Sequence, residues 1–402
     1  MTPWPTATLR DVTSRITKGT TPTTIGGRFT DTGISFIKVE SITVGGLINP
    51  VKLAFIDEET NALLGRSVLA VDDLLFSIAG TVGRVARIKQ RDLPANTNQA
   101  LAILRPNKDV VDVEFLLYCL RDDERVDRAR TRIVQSVQAN LSLSELADIE
   151  LPLPPIDEQR GIAATLGALD DKIESNGRIA ELVESYLDAR AAELTSAVET
   201  RTVELSEVVE FNRQVVRPGA PDDPLFYLDI ASVSPGKIDA LQAMNWVDAP
   251  SRARRGVSDG DVIYSTVRPG RRSFALLLEP SPETVASTGF AVMSPRVAIG
   301  SSLLTSVVGS VEFASYLESV AQGSAYPAVS VEAMSRYVFE VPDKQAAVDR
   351  FEVEAMPLRR RVHQAENESH KLSVLRDTLL PELLSGRIRV PEATALFKEA
   401  IA

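Results

Sequence analysis

The chain alternates between two kinds of hydrophobic pattern. In residues 1–150, short runs rich in β-branched and aromatic residues are bounded by glycine, proline, asparagine and aspartate, which predicts strands. The predicted strands are Ile34–Ile42, Leu74–Ile78, Val82–Ile88 and Ala100–Leu104. Glu114–Thr131 predicts a helix, because its apolar residues come first and its charges follow. Three prolines, at 152, 154 and 155, then end the unit, since proline cannot donate a sheet hydrogen bond and disfavours helix before it.

A period of three to four residues replaces the strand pattern after Pro155. From Asp157 to about Glu199 no proline interrupts the chain, and the spacing predicts a long amphipathic helix with Asp157 as its N-cap. A second apolar stripe follows Pro342 and runs to Leu384. We expect Pro357 to kink this second helix or to start it afresh. Gly386 stands where a C-terminal glycine is typical.

The two stripes are separated by a whole domain, so they can pair only as two long helices, most simply antiparallel. At ~1.5 Å per residue, ~40 residues would form a rod of ~60 Å. The apolar positions assigned to this coiled coil are Ile162, Leu166, Leu169, Ile173, Leu187, Leu358, Val362, Leu372, Leu375 and Leu379. The expected fold class is α+β, with two similar mixed α/β heads separated by the helices and related by pseudo-two-fold symmetry.

The heads are expected to be similar because the sequence repeats. Ile34–Gly45 matches Leu225–Gly236 at an offset of 191, and Asp73–Ser77 matches Asp261–Ser265 at an offset of 188. Such a period is far too long for a solenoid and fits a domain plus its connector. A chain with two similar halves is expected to bind a two-part ligand. The predicted domains are residues 1–155, 156–200, 201–342 and 343–390, followed by a tail, 391–402.

Composition is typical of a soluble globular protein, with 44% hydrophobic and 25% charged residues among 402. No apolar run approaches the roughly 18 residues of a membrane span, and the N-terminus lacks the pattern of a secretory signal, so a cytoplasmic location is expected. Cys119, the single cysteine, lies in an apolar run and is expected to be buried. The net charge of −11 argues against indiscriminate coating of nucleic acid. Residues 151–200 account for −6 of this net charge, so positive and negative charges are nearly balanced in the heads.

A search for catalytic motifs finds none, and we predict neither catalytic residues nor a metal site. The sequence has no P-loop, no Gly-x-Gly-x-x-Gly after a strand and no Gly-x-Ser-x-Gly elbow. His363 and His370 are seven residues apart, which predicts solvated positions on a helix surface. Asp170-Asp171-Lys172 resembles a nuclease fragment, but its position within a helix favours an exposed helix face.

The remaining polar features lie on turns and suit binding. Arginine pairs with guanine edges, asparagine and glutamine pair with adenine edges, and hydroxyl groups hold phosphates. Such side chains at one end of a β-rich head would form a reader of a DNA groove. The candidates in the first half are Lys18, Thr20, Thr21, Arg66, Arg84, Asn96, Asn98, Gln99, Arg132 and Gln135. Those in the second half are Arg252, Arg254, Arg255, Arg268, Arg271, Arg272, Ser287, Thr288 and Tyr326.

The junction Ile149–Ala163, with Pro154-Pro155-Ile156-Asp157-Glu158-Gln159 at its centre, resembles the central conserved region of specificity subunits of Type I restriction–modification systems. Further similarity lies in Leu169–Ile173, Lys18–Pro22, Asp73–Ser77, Gly80–Arg84 and Leu379–Gly386. The similarity extends over essentially the whole chain and keeps the family's order of two variable domains and two helical regions. The second junction, Pro342–Gln345, lacks the run of prolines and the Leu-Asp-Asp-Lys-Ile pattern.

The resemblance implies two target recognition domains, each reading one half of a split double-stranded DNA sequence. It also implies helices that dock two adenine methyltransferase subunits and, through them, two ATP-dependent restriction subunits. The subunit itself would need no cofactor, since S-adenosylmethionine, ATP and Mg²⁺ belong to its partners. Two alternatives stay open: a coiled-coil adaptor whose heads bind protein, and part of a fused restriction–methylation enzyme.

Overall fold

The computed structural model describes residues 4–43, 45–122, 140–323 and 326–400, without the side chains of 398–400. The chain forms two compact units, residues 1–174 with 368–402 and residues 175–367. Both cuts fall within long helices, so each unit contains one head and a part of each helix. The predicted domain boundaries follow the sequence repeat, a different criterion, and stay a prediction.

The first unit contains two four-stranded sheets. Their strand orders are β2-β9-β6-β7, which is antiparallel, and β3-β5-β4-β8, in which β4 and β8 are parallel; β1 pairs with β10. The strands are β1 (Thr6–Thr8), β2 (Thr13–Lys18), β3 (Phe29–Thr30), β4 (Ile34–Ile37), β5 (Ala54–Ile56), β6 (Leu74–Ser77), β7 (Val85–Arg87), β8 (Ala95–Thr97), β9 (Leu101–Pro106) and β10 (Glu150–Pro152). The short helices are α1 (Leu9–Val12), α2 (Glu58–Leu63), α3 (Val113–Arg121) and α4 (Leu143–Ala147).

The sheet β2-β9-β6-β7 is buried on both faces, because successive apolar residues of its strands point to opposite sides. Leu74 and Phe76 point to the core that contains α3 and the long helices, whereas Leu75 points to the core beneath the second sheet. A strand places successive side chains on opposite faces, so the continuous run Leu74–Phe76 can fill two cores at once. Cys119 is 2% exposed within the first of these cores, as the sequence predicts.

The second unit repeats this plan, with strand orders β12-β21-β18-β19 and β16-β13-β20-β17 and with β13 parallel to β20. Its strands are β11 (Thr200–Glu204), β12 (Val209–Phe211), β13 (Pro224–Leu228), β14 (Val233–Ser234), β15 (Lys237–Ile238), β16 (Gln242–Asn245), β17 (Ala253–Gly256), β18 (Val262–Ser265), β19 (Phe274–Leu276), β20 (Thr284–Ser287), β21 (Phe290–Pro295) and β22 (Val338–Pro342). Its short helices are α6 (Leu205–Val208), α7 (Gly300–Gly309), α8 (Val311–Val320) and α9 (Val331–Ser335).

The repeat extends to individual hydrogen bonds outside the sheets. The amide of Leu141 donates to the carbonyl of Ile78 (2.9 Å), and 188 residues later Val329 donates to Thr266 (2.8 Å). In the tight turns before β6 and β18, Asp73 and Asp261 each accept from the amide three residues earlier, at 2.8 Å. The predicted fold class, with two mixed α/β heads and two long helices, is confirmed.

The long helices are α5 (Ile156–Ala197) and α10 (Gln345–Ser385). α10 runs without a break through Pro357, so the expected fresh start is wrong. Pro357 is exposed, while Ala355 and Arg359 on either side are buried, and their packing maintains the helix across the missing hydrogen bond. Gly386 adopts a left-handed φ of 74° directly after α10, as expected for a C-terminal glycine.

The two helices run antiparallel in each unit. In the first unit Asp170 contacts Arg376 and Lys172 contacts Glu368, so partner numbers fall as residue numbers rise. In the second unit, Glu184 meets Arg359 and Tyr186 meets Glu354 in the same sense. The stripe is interrupted at Asn176, whose buried amide donates to the carbonyl of Ala365 (3.2 Å).

All ten apolar positions assigned to the helix contact are buried or partly buried. Leu166, Leu169, Leu372 and Leu379 share the core of the first unit, and Leu187 belongs to that of the second. The predicted tail contains a further helix, α11 (Val390–Ala400), in which Ala393 is fully buried. Among the described residues, no helix combines the length and the apolarity needed to cross a membrane.

Candidate nucleic-acid interface

In the first unit, the turns that follow β2 and β8 lie against each other. Gly19 packs so closely on the backbone after β8 that an added Cβ would lie 1.9 Å from the carbonyl oxygen of Thr97. Thr21 donates its hydroxyl hydrogen to the side-chain oxygen of Gln99, and Asn98 accepts from the amide of Ala100 at 3.1 Å. Lys18 and Gln99 are exposed. The structure therefore brings together five predicted residues: Lys18, Thr20, Thr21, Asn98 and Gln99.

Two other predicted residues in this unit are occupied inside the protein. Asn96 is fully buried; its Nδ2 donates to Asn61 (2.8 Å) and its Oδ1 accepts from the amide of Thr97 (2.8 Å). Both polar atoms of the Asn96 side chain are thus bonded inside the head, and its assignment to DNA binding stays a prediction. Arg84 donates to the carbonyl of Ile42 (2.7 Å) and so stabilises a neighbouring turn.

The remaining candidates of the first half differ in exposure and position. Arg66 lies on an exposed turn, and its carbonyl oxygen accepts from the guanidinium of Arg15 (2.7 Å). Arg132 and Gln135 lie outside the described residues, as does the second half of the predicted helix Glu114–Thr131.

In the second unit, the turn after β20 connects several predicted segments through backbone hydrogen bonds. The amide of Thr288 donates to the carbonyl of Arg252 (2.8 Å), and that of Thr266 donates to the carbonyl of Gly289 (2.8 Å). The amide of Arg268 then donates to the carbonyl of Pro327 (2.7 Å), next to Tyr326. Segments that are far apart in sequence thus form one end of this unit.

The six arginines of this end have different surroundings. Arg252 is exposed and 3.9 Å from Asp229, and Arg254 donates to the carbonyl of Ala253. Arg255 is half-buried, and its Nε has no hydrogen-bond partner among the described residues. Arg271 is exposed, and Arg268 lies 4.6 Å from the ring centroid of Tyr326, which is 69% exposed.

Two predicted residues of this unit have internal roles. The guanidinium of Arg272 donates to the carbonyl of Gly309, and the fully buried Ser287 accepts from the amide of Gly289 (3.2 Å). Both side chains stabilise turns of the head, and their assignment to DNA contact stays a prediction.

A hollow of about 380 Å³ opens at this end, lined by Arg268, Pro269, Gly270, Arg271, Glu318, Ala321 and Pro327. Glu318 is exposed and lies over Gly270, where an added Cβ would be 1.8 Å from its carboxylate. No sequence signal singles out Glu318, because an acidic residue near the end of an amphipathic helix resembles any solvated one.

Each head is joined to a long helix by a polar contact that the sequence did not reveal. In the first unit Asp170 accepts from Tyr118 Oη (2.8 Å), Arg121 (3.1 Å) and Arg376 (2.7 Å). Burial and the carboxylate of Asp170 raise the pKa of Tyr118, so the phenol keeps its proton and donates. The expectation of an exposed helix face holds for Asp171 but is wrong for Asp170.

In the second unit the joint has the opposite polarity. Arg359, 4% exposed, donates to Glu184 (2.8 Å), to the carbonyl of Ser302 (3.2 Å) and to Ser306 Oγ (3.1 Å). Ser302 and Ser306 lie on α7, the counterpart of α3. Here the long helix donates and the head accepts.

The two histidines differ in their surroundings. His370 is exposed as predicted, but His363 is half-buried, and this burial lowers its pKa. It lies 3.0 Å from Asn367, so it is not simply solvated. Within the part of the chain that the structure describes, no three acidic, histidine or cysteine side chains are placed to hold a metal ion.

Residues 1–185 match the family model for the Type I restriction modification DNA specificity domain. The first 185 residues thus match the family that the sequence resemblance predicted.

Relatives support this assignment. The specificity subunit of the EcoBI type I restriction enzyme from Escherichia coli is 29% identical over 177 residues, which cover 41% of this chain and 36% of that protein. A protein from Methanocaldococcus jannaschii, named for the specificity subunit of the MjaX type I enzyme, is 26% identical over 174 residues. That alignment covers 42% of this chain and 40% of the relative, so the chain spans less than half the length of these relatives.

The fold extends beyond these alignments. A crystal structure of the S subunit of a Type I restriction–modification system from M. genitalium is similar over 96% of this chain and 99% of the other, with a TM-score of 0.62. At 17% identity this likeness concerns the fold alone, and it includes both halves of the chain.

Proposed function

We propose that this chain is a sequence-specific DNA-binding subunit that reads a bipartite target, one half-site per head. The observation that supports this most is the polar loop cluster at the end of each head. The backbone bonds from Leu141 to Ile78 and from Ile78 to Ala100 recur in the second head, from Val329 to Thr266 and from Thr266 to Gly289, whereas the polar side chains differ. A common frame with different side chains is what two readers of two different half-sites require.

We further propose that the subunit is not itself catalytic and acts in the cytoplasm with partner subunits. Adenine methyltransferase subunits would dock on the helical regions, and ATP-dependent restriction subunits would join through them. S-adenosylmethionine, ATP and Mg²⁺ would then be bound by the partners. The family relationship supports this division of labour, as does the absence of catalytic motifs from the sequence.

Selection from a library of randomised DNA duplexes tests the DNA-reading function. The full chain, alone and with a co-expressed methyltransferase partner, is expected to enrich two short motifs separated by a spacer of constant length and random sequence. Insertion of one or two turns into both α5 and α10 should change the spacer and leave both half-sites unchanged. A chain that enriches no motif would refute the proposal, and protein capture without DNA binding would support the adaptor alternative.

A further inference from the structure

The turn that follows β18 differs from its counterpart in the first unit in its backbone chemistry. After β6, the left-handed positions are occupied by Gly80 (φ 72°) and Gly83 (φ 98°). After β18, they are occupied by arginines, Arg268 (φ 49°) and Arg272 (φ 53°). A left-handed φ is easy for glycine and costs stability for any residue with a Cβ. The second head therefore keeps two side chains at positions where glycine would be more stable.

The two arginines have different tasks. Arg272 donates to the carbonyl of Gly309 and so stabilises the head from within. The guanidinium of Arg268 instead lies against the exposed ring of Tyr326, with its backbone fixed by the bond to Pro327. Within the described part of the chain, no side-chain hydrogen bond or ion pair of Arg268 accompanies this stacking. Its donors are thus positioned while remaining available.

The carboxylate of Glu318 favours a base over a phosphate as the group that Arg268 binds. Glu318 lines the same hollow as Arg268 and is exposed. A carboxylate repels a phosphate group, whereas it can accept from the amino group of cytosine. A planar arginine fork beside a carboxylate is therefore complementary to the edge of a G·C pair, which offers two acceptors and one donor.

Resting on the proposed function, we propose that Arg268 is the specificity-determining residue of the second head and reads a guanine in its half-site. Tyr326 is a positioning residue that holds the guanidinium plane. Glu318 disfavours a phosphate at this place. Arg271, exposed in the same turn but without the stacking partner, contributes sequence-independent attraction for DNA through its charge.

The variant Arg268→Gly tests the proposal, because glycine suits the backbone and occupies the equivalent position of the first head. The wild-type target is first obtained by duplex selection, and affinities are then measured by fluorescence anisotropy with the full chain. Each guanine of the target is replaced in turn by 7-deazaguanine, which lacks the N7 acceptor. We expect one replacement to weaken wild-type binding about 10-fold, because 7-deazaguanine keeps the O6 acceptor and loses only one bond of a bidentate contact whose full loss costs about 10- to 100-fold.

Arg268→Gly should lose at least as much affinity on the unmodified duplex and nothing more on that one modified duplex, so the two changes are coupled. Its thermal midpoint should equal or exceed that of the wild type. Arg271→Ala is the control and should weaken binding evenly on all duplexes. Tyr326→Phe should preserve the discrimination, whereas Tyr326→Leu should reduce it.

Three results would overturn the assignment. The first is unchanged DNA binding by Arg268→Gly, and the second is an equal loss of affinity by Arg268→Gly on every modified duplex, which would indicate a phosphate contact. The third is a selected target in which neither half-site contains a G·C pair. A wild-type chain that selects no motif would instead refute the proposed function itself. The two failures are therefore distinguishable.

Discussion

The joint at Asp170 gives the sharpest test of how the first head is held on its helix. Asp170→Ala removes the acceptor of Tyr118, Arg121 and Arg376 at once. A hydrogen bond to a charged group contributes about 1.5–3 kcal/mol and a neutral one about 1 kcal/mol. We take about half of these values because the side chains of Arg121, Asp170 and Arg376 are 22–26% exposed and solvent screens them. All three bonds are made to the charged carboxylate, so the expected loss of unfolding free energy is about 2–4 kcal/mol.

Asp171→Ala is the matched control, since Asp171 is the next residue, has the same chemistry and is exposed. Both substitutions gain the same helix propensity, so that contribution cancels in the comparison. The chain has two tryptophans, and Trp4 lies in the first unit, where its indole donates to the carbonyl of Leu383 (3.4 Å). In a Trp246→Phe background, fluorescence during urea unfolding therefore follows the first unit.

We expect Asp170→Ala to lower the urea midpoint by about 1 M, for a slope of about 2–3 kcal/mol per M. Asp171→Ala should stay within about 0.5 kcal/mol of the parent, as is usual for surface substitutions. Equal midpoints for the two variants would refute the reasoning, because the three contacts would then contribute nothing beyond an ordinary exposed aspartate.

Three other substitutions test buried polar groups by urea unfolding. Gln159→Ala should cost about 2–3 kcal/mol, because the buried amide donates to Pro154 (2.9 Å) and accepts from Asp112 (2.8 Å); no change would refute its role. Asn96→Ala should destabilise by about 1–3 kcal/mol yet leave the salt dependence of DNA binding unchanged. Burial raises the pKa of Glu366 from 4.5 to about 7. The folded protein therefore binds this proton more tightly than the unfolded chain does, and the free energy of unfolding falls as pH rises from 4.5 to about 7. Glu366→Gln should abolish this slope and stabilise at pH 8 by about 1–2 kcal/mol, a figure reduced for partial exposure; an unchanged slope would contradict it.

The strands and long helices could be predicted because their residues repeat with the period of the structure. The strand predicted at Leu74–Ile78 is found at Leu74–Ser77, and the helix predicted from Asp157 begins at Ile156. A buried strand with both faces in a core needs continuous apolar residues, and these are visible in one dimension.

The individual site residues were harder to predict, because burial depends on contacts between distant segments. Asn96 and Asn98 lie two residues apart in one turn-forming stretch, yet the first is buried and the second half-exposed. Nothing local distinguishes them, since the groups that accept from Asn96 lie on α2 and directly after it, at Leu64, more than thirty residues earlier. Likewise, Asp170 meets Arg376 across 206 residues, a contact that no motif encodes.

The two joints show how far the copies have separated while keeping one frame. Tyr118 and Ser306 stand 188 residues apart and occupy equivalent places on α3 and α7, and each contacts a long helix. In the first unit α5 supplies the carboxylate of Asp170, whereas in the second unit α10 supplies the guanidinium of Arg359. A first head placed on the second helix would set Arg121 near Arg359, and like charges at a largely buried contact are destabilising. Each head is thus matched to its own helix.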